Sequence, residues 1–270
     1  MKKGLRLDLL LVERGLAASR ERARALILAG DVRVDGQRVT KAGTSVAADA
    51  AVTVAVPDHP YVGRGGLKLA HALDVFDIAV EGRVGLDIGA STGGFTDVLL
   101  SRGARQVVAV DVGYGQLVWR LRSDDRVQVH DRTNVRALTP DDIGGRVELV
   151  VADLSFISLA LVLPALAACA APGADLLPMV KPQFEVGKDR VGSGGVVRDP
   201  ALRADAVRGV AAAAAGLGLS TLGAVASPLP GPSGNVEYFL WFRADANGGP
   251  AEDDDSVVEL IETAVREGPQ

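Results

Sequence analysis

Val84-Gly-Leu-Asp-Ile-Gly-Ala-Ser-Thr-Gly-Gly94 joins an apolar run to a glycine-rich turn, and Val107-Val-Ala-Val-Asp111 follows about one strand later. Asp87 stands just before the turn, and Asp111 ends the second run. Strand, glycine turn and second strand with a terminal acid make a nucleoside pocket at the carboxyl edge of a parallel sheet. Glycines let backbone approach a ligand, and an acid at the second strand end suits the hydroxyl pair of a ribose. Spacing then separates the cofactor classes. A dinucleotide site wants G-x-G-x-x-G, whose middle glycine clears room for a pyrophosphate. Ser91 holds that place here, between Gly89 and Gly93. Asp87 would repel a pyrophosphate but can pair with the ammonium of S-adenosylmethionine. The pattern therefore favours S-adenosylmethionine over NAD. A bare strand-turn-helix connection is the alternative, and the second acid at its expected distance counts against it.

The chain has 270 residues, room for one sizeable α/β domain and a small module. Its single cysteine, Cys169, cannot form an internal disulfide, so a reducing, cytoplasmic setting is expected. The first residues soon meet Asp8 and Glu13, which leaves no signal-peptide core. No apolar run reaches the ~18 residues of a membrane span. The longest, around Leu159 to Ala171, is interrupted by Pro164. No membrane partner is expected. Net charge is -5, yet residues 1–41 carry ten basic side chains against five acidic ones. A basic face on an acidic chain points to a docking surface for phosphates, with an ordinary solvated helix face as the alternative.

Residues 1–58 read as a separate module. A helix is expected from Arg6 to Leu16, and a second from Arg20 to Leu28 with Ser19 as its N-cap and Gly30 as its stop. Val32 to Val39 alternates around Asp35-Gly36, a hairpin signal, and Val52 to Val56 closes the unit. Arg6-Leu-Asp, Ala18-Ser-Arg20, Gly30-Asp-Val-Arg-Val-Asp-Gly36 and Val39-Thr-Lys41 together resemble the S4 RNA-binding domain. In that resemblance Arg6, Arg20, Arg33 and Lys41 fall on the basic positions that meet RNA. The module has no aromatic residue, which suits recognition of folded RNA by shape and backbone and disfavours a single-strand stacking platform.

Residues 59–63 read as a linker, 64–244 as the main domain, and 245–270 as an acidic connector with a short terminal helix. A helix from Leu67 to Phe76 precedes strands near 84–88, 107–111, 127–130, 147–152, 174–180, 221–225 and 237–242, with helical runs between them, including Ala204 to Leu217. That order describes an α/β fold: a Rossmann-like, doubly wound sheet of seven strands, the last one antiparallel. Asp153 and Lys181 each end a strand and belong at the carboxyl edge beside the cofactor crevice. Lys68 and Glu237 are further candidates. Spacing alone does not bring these four together, and a lysine at a strand end is often a surface charge. His59, His71 and His130 are scattered and lack a cysteine partner, so no metal is called for.

Lys68, Asp153, Lys181 and Glu237 match, in order and context, the Lys-Asp-Lys-Glu tetrad of FtsJ-like RNA 2'-O-methyltransferases. With the leading module and the strings Gly89 to Thr96, Asp111 to Gln116, Asp153 to Ser158, Val180 to Lys188 and Ser227 to Glu237, the chain resembles the TlyA family, called hemolysin A in older naming. The linker departs from the family's Arg-x-Trp-Val, reading His59-Pro-Tyr-Val62. The resemblance implies methylation of cytidine 2'-hydroxyls in 23S ribosomal RNA, and in some members also 16S, which favours binding of capreomycin-type antibiotics. The full first module and terminal helix look like the longer, dual-target subtype. Ribosomal RNA or ribosomal subunits are then the partner. A 2'-hydroxyl is a weak acid and nucleophile, so catalysis needs in-line placement and removal of its proton. Lys181 is expected as base or hydroxyl steerer, Asp153 and Lys68 as orienting partners, and Glu237 as the group positioning the lysine. Neighbouring Lys68 and burial favour a neutral Lys181, while the two carboxylates oppose it. Asp111 is expected to hold the cofactor ribose, and Gly89, Ala90, Ser91, Gly93 and Gly94 to surround its amino-acid part, with Asp131 at the adenine. Arg64, Arg136 and Lys188 are expected along the RNA path. Two other readings stay open: a membrane-acting protein, as the older name has it, and an RNA-binding protein without catalysis.

Overall fold

The computed structural model describes residues 4–17, 19–54, 59–244 and 255–269. The chain divides into two compact units, Met1–Arg64 and Gly65–Gln270. The acidic connector expected at the start of 245–270, and the last two residues of the strand expected over 52–56, lie outside the described residues.

In the first unit the expected helix from Arg6 begins one residue later. Leu5–Arg6 (β1) pairs antiparallel with Ser45–Val46 (β4), and helix α1 runs over Leu7–Glu13. Helix α2 spans Arg20–Ala29; its N-cap Ser19 accepts the Arg22 amide at 3.1 Å, and Gly30 closes it at φ 75°. Val32–Val34 (β2) and Gln37–Arg38 (β3) form the hairpin, with both turn residues, Asp35 and Gly36, at positive φ as its tight turn demands. Val52–Val54 (β5) pairs on the other side of β2. Leu7, Leu10, Leu11, Leu26, Ile27 and Val32 pack into a small core of their own.

Helix α3 (Arg64–Val75) precedes the sheet of the second unit. Among the described residues that sheet has seven strands: β6 (Val84–Ile88), β7 (Gln106–Val110), β8 (Val127–His130), β9 (Val147–Ala152), β10 (Ala170–Val180), β11 (Leu219–Ala226) and β12 (Tyr238–Ala244). Their spatial order is β11-β12-β10-β9-β6-β7-β8. β8, β7, β6, β9 and β10 run parallel, and β12 runs against both its neighbours. The central strands are almost wholly apolar because helices cover both faces. Helices α4 (Gly94–Ser101), α5 (Trp119–Arg122), α6 (Leu163–Cys169), α7 (Pro182–Glu185), α8 (Pro200–Ala215) and α9 (Asp255–Glu267) complete the unit. β10 starts four residues earlier than expected. α8 also starts four residues early, because Pro200 takes its first position and the Asp199 carboxylate caps the Ala201 amide at 2.9 Å.

One buried acid of this sheet is fully paired. Asp175 on β10 is 2 % exposed and accepts from Arg83 at 2.7 Å, Trp241 at 2.8 Å and Arg243 at 2.9 Å. Burial alone would lift its carboxyl, but the three donors hold it below the usual carboxylate range.

Two substitutions separate core from cap. Leu86→Ala, at a fully buried site in the central strand, should cost about 3 kcal/mol. Asp199→Ala should cost about 1 kcal/mol. Urea unfolding followed by the fluorescence of Trp119 and Trp241, both in the second unit, measures each.

Candidate active site

Where β6 ends, the chain must turn sharply beneath the loop that follows β9. Gly89 sits at φ 81°, and a side chain there would run into the backbone carbonyl of Asp153. Ser91 (φ 47°) and Gly93 (φ 102°) continue the left-handed turn into α4. The Asp111 carboxylate, one residue past β7, accepts from the Ser91 amide at 2.8 Å and the Gly113 amide at 2.7 Å. A cleft of about 620 Å³ opens at this carboxyl edge, lined by Gly89, Ser91, Asp111, Thr133, Asn134 and Asp153 among others.

The residues expected around a cofactor divide here. Gly89, Ser91 and Asp111 line the cleft. Ala90, Gly93 and Gly94 shape its wall from behind: Ala90 is buried, Gly93 leaves room for Leu117 and Leu121, and Gly94 lies against the Gly66 amide. Asp87 is fully buried; its Oδ2 takes the Thr96 hydroxyl at 2.6 Å and its Oδ1 has no hydrogen-bond partner among the described residues. Burial pushes this carboxyl up to about 7, against the pull of the Thr96 hydrogen bonds. Asp131 pairs with Arg122 on α5 and accepts the Gly115 amide at 3.2 Å, so it buttresses the 112–122 segment. Thr133, Asn134 and Val135, just beyond it, line the cleft instead.

Register gathers the four expected catalytic residues. Val180 opposes Tyr238 and Pro178 lies beside Ala152, so Lys181, Glu237 and Asp153 emerge from adjacent strand ends. The first turn of α3 reaches the same edge, because a side chain at Gly65 would lie 3.9 Å from Asp153 Oδ2. Lys68, one turn further along α3, pairs with the Glu237 carboxylate, both nearly sealed from water. Lys181 Nζ lies 2.6 Å from Asp153 Oδ1, out of line for a hydrogen bond, which it gives to Ser155 Oγ at 3.0 Å. Asp153 belongs to both the ion pair and the cleft. The four side chains thus form two lysine–carboxylate pairs at one rim.

Several participants lie within the strings that carry the resemblance but are not singled out by them. Gly231 must lack a side chain because a Cβ would come within 2.5 Å of Glu237 Oε1. Glu185 on α7 accepts from Ser158 Oγ at 2.6 Å and the Leu159 amide at 2.9 Å, strapping down the loop that carries Asp153 and Ser155. Burial raises its carboxyl, opposed by those two bonds. Within that loop Phe156 is 90 % exposed at φ 65°, a strained backbone for a bulky residue, and its ring lies 5.3 Å from that of Phe184.

The expected RNA contacts are exposed in part. Arg33 and Lys41 are exposed in the first unit, and Arg33 also donates to the Gly36 carbonyl at 3.0 Å. Arg6 and Arg20 are half-exposed and both reach Asp8. Arg64, the last residue of that unit, pairs with Asp31 at 3.3 Å. Arg136 lines the cleft and Lys188 is exposed after α7. Among the described residues no helix is long and apolar enough to cross a membrane, and no three His, Cys, Asp or Glu side chains gather at metal-ligand spacing.

A parallel sheet with a reversed strand, a glycine turn over the cleft and paired lysines and acids at its rim define a methyltransferase class. Residues 61–244 match the FtsJ-like methyltransferase family and residues 5–52 the S4 domain; the chain belongs to the FtsJ-like methyltransferases. More particularly it groups with TlyA. It is 57% identical over 270 residues, covering all of both chains, to the 16S/23S rRNA (cytidine-2'-O)-methyltransferase TlyA of Mycobacterium tuberculosis. It is 44% identical over 262 residues to YqxC of Bacillus subtilis, covering 96% of this chain and 93% of that one. A solved structure described as a hemolysin from Streptococcus thermophilus superposes with a TM-score of 0.76 at 39% identity, covering 99% of this chain and 98% of that one.

Asp87 sets a pH dependence whose sign is fixed by its raised pKa. A folded-state value near 7 against an unfolded ~3.8 favours the protonated carboxyl, so its contribution is full below about pH 4 and is lost as pH rises to about 7. The swing is on the order of 4 kcal/mol. Asp87→Asn should therefore gain stability relative to the parent between pH 4 and 7, read from urea midpoints at several pH values. A constant difference across that range would show that Asp87 does not titrate there.

Proposed function

We propose that the protein transfers a methyl group from S-adenosylmethionine to the 2'-hydroxyl of a cytidine in ribosomal RNA, in 23S and also 16S, and so alters susceptibility to capreomycin-type antibiotics. The observation that carries the reading is the pairing of Lys68 with Glu237 and of Lys181 with Asp153 at adjacent strand ends, Asp153 itself lining the cleft. The full-length identity to TlyA supports the substrate. A ribosomal partner and the lone buried Cys169 make the setting cytoplasmic.

The residues of the cleft fit S-adenosylmethionine. Behind the lining, Asp87 Oδ1 is a buried acceptor without a donor among the described residues, the kind of group an ammonium satisfies. Asp111 is held by two amides at the position for ribose hydroxyls. Gly89 and Ser91 offer backbone to the amino-acid part, and Thr133 to Val135 give the adenine a wall. When bound, the cofactor supplies a sulfonium methyl, a strong electrophile.

The protein's own contribution is placement and proton handling. Lys181 meets the ribose hydroxyl. It would steer the oxygen or act as the base that takes the hydroxyl proton while the oxygen–carbon bond forms and the methyl leaves sulfur, and Asp153, 2.6 Å from its Nζ, orients it. Ser155 fixes the Nζ position. Lys68 and Glu237 neutralise each other and pin α3 to β12, which keeps the rim closed to stray water. Correct placement is worth up to ~7–11 kcal/mol of barrier, more than the proton step alone.

Lys181→Ala should lower methyl transfer by about 100-fold or more, while cofactor affinity measured by calorimetry stays within about twofold. Equal loss of both would make Lys181 structural. Labelled methyl transfer to isolated 30S and 50S subunits, with mapping of the product, tests the substrate: label on a cytidine ribose is expected, and label on a base or on protein would overturn the reading.

A further inference from the structure

Asp8 is a fully buried carboxylate in the first turn of α1, and three guanidiniums converge on it. Arg6, from β1, grips it with two hydrogen bonds of 3.0 Å. Arg20 and Arg24, one turn apart on α2, reach its Oδ2 through Nε at 3.0 Å and 3.2 Å. The arginine side chains are 46 %, 47 % and 50 % exposed against 0 % for Asp8. One anion therefore holds three cations in a fan that keeps two uncompensated positive charges at the surface. Arg20 and Arg24 give Asp8 only Nε, and among the described residues their terminal nitrogens have no recorded acceptor. The Arg6 hydrogen bonds are the strongest influence keeping the Asp8 carboxyl well below the usual range, so the hub stays ionised.

We infer that Asp8 is a positioning residue for a preformed phosphate-binding fan of Arg6, Arg20 and Arg24, and that Arg24 is a phosphate contact of this protein alongside Arg6 and Arg20. The inference rests on the RNA-binding reading of the first unit and deepens it. Free arginines order their long side chains at the moment of binding, which weakens association. Here the carboxylate has already fixed three of them, with donors left for the non-bridging oxygens of an RNA backbone. Since i and i+4 residues share a helix face, Arg20 and Arg24 present their guanidiniums on the same side of α2, both anchored on Asp8 Oδ2.

The test uses the whole protein and isolated 50S subunits, with filter binding over a series of salt concentrations and thermal melts as a folding control. Asp8→Asn keeps the shape and adds one unit of positive charge. Simple attraction to phosphate predicts tighter binding; the fan predicts weaker binding, about tenfold, because three guanidiniums lose their anchor. Binding equal to or tighter than the parent's, with the melt unchanged, would overturn the inference. If Asp8→Asn destabilises the unit, Arg24→Ala decides instead. Weaker binding at every salt and a log–log salt slope shallower by about one supports the fan, and an unchanged slope rejects it. Failure of the parent protein itself to bind 50S subunits would instead sink the RNA-binding reading.

Discussion

Glu237, at 1 % exposure, meets its counter-charge in Lys68. Desolvating both charges is costly, and removing either leaves the other stranded in a poorly polarisable interior. The pair therefore works as a register lock. Glu237 must precede β12 where Lys68 stands one turn into α3, and Gly231 must leave space beside it. With that edge fixed, β10 carries Lys181 to its place between Glu237 and Asp153, and the cleft acquires its reactive end. Everything the site can do follows from one helix and three strands agreeing on where one ion pair sits.

Three buried aspartates show how burial and partners set different roles. Asp175 has three donors and is a structural anchor in the sheet. Asp8 has three arginines and keeps its charge. Asp87 has one hydroxyl and an orphan oxygen, and its carboxyl is pushed up towards neutrality. The chemistry of the residue is the same each time. The number of donors that reach it, and whether those donors are buried or exposed, decides whether it anchors, arranges or waits for a ligand.

Much of the architecture was legible because its signals are local. Alternating apolar runs gave the strands of the second unit, Asp35-Gly36 gave the hairpin, and the odd direction of the last strand followed from the element order. The tetrad was legible through resemblance, since nothing in the spacing of Lys68, Asp153, Lys181 and Glu237 says that they meet. What stayed hidden depends on contacts distant in sequence. Asp131, at a strand end, is expected at the adenine, yet Arg122 and the Gly115 amide claim it. Asp8 reads as a helix-start acid, yet it is the hub of three arginines. Glu185 and Ser158 stand 27 residues apart and meet only because β10 returns beside β9.

The reversal of β12 also bears on the timing of biosynthesis. Lys68 is translated early, but its counter-ion comes 169 residues later and enters the sheet from the opposite direction. A nascent chain that has exposed the S4 unit, the glycine turn and both strand-end residues Asp153 and Lys181 still lacks the strand that closes the rim. Closure of the rim thus waits on β12, however much of the sheet has formed before it.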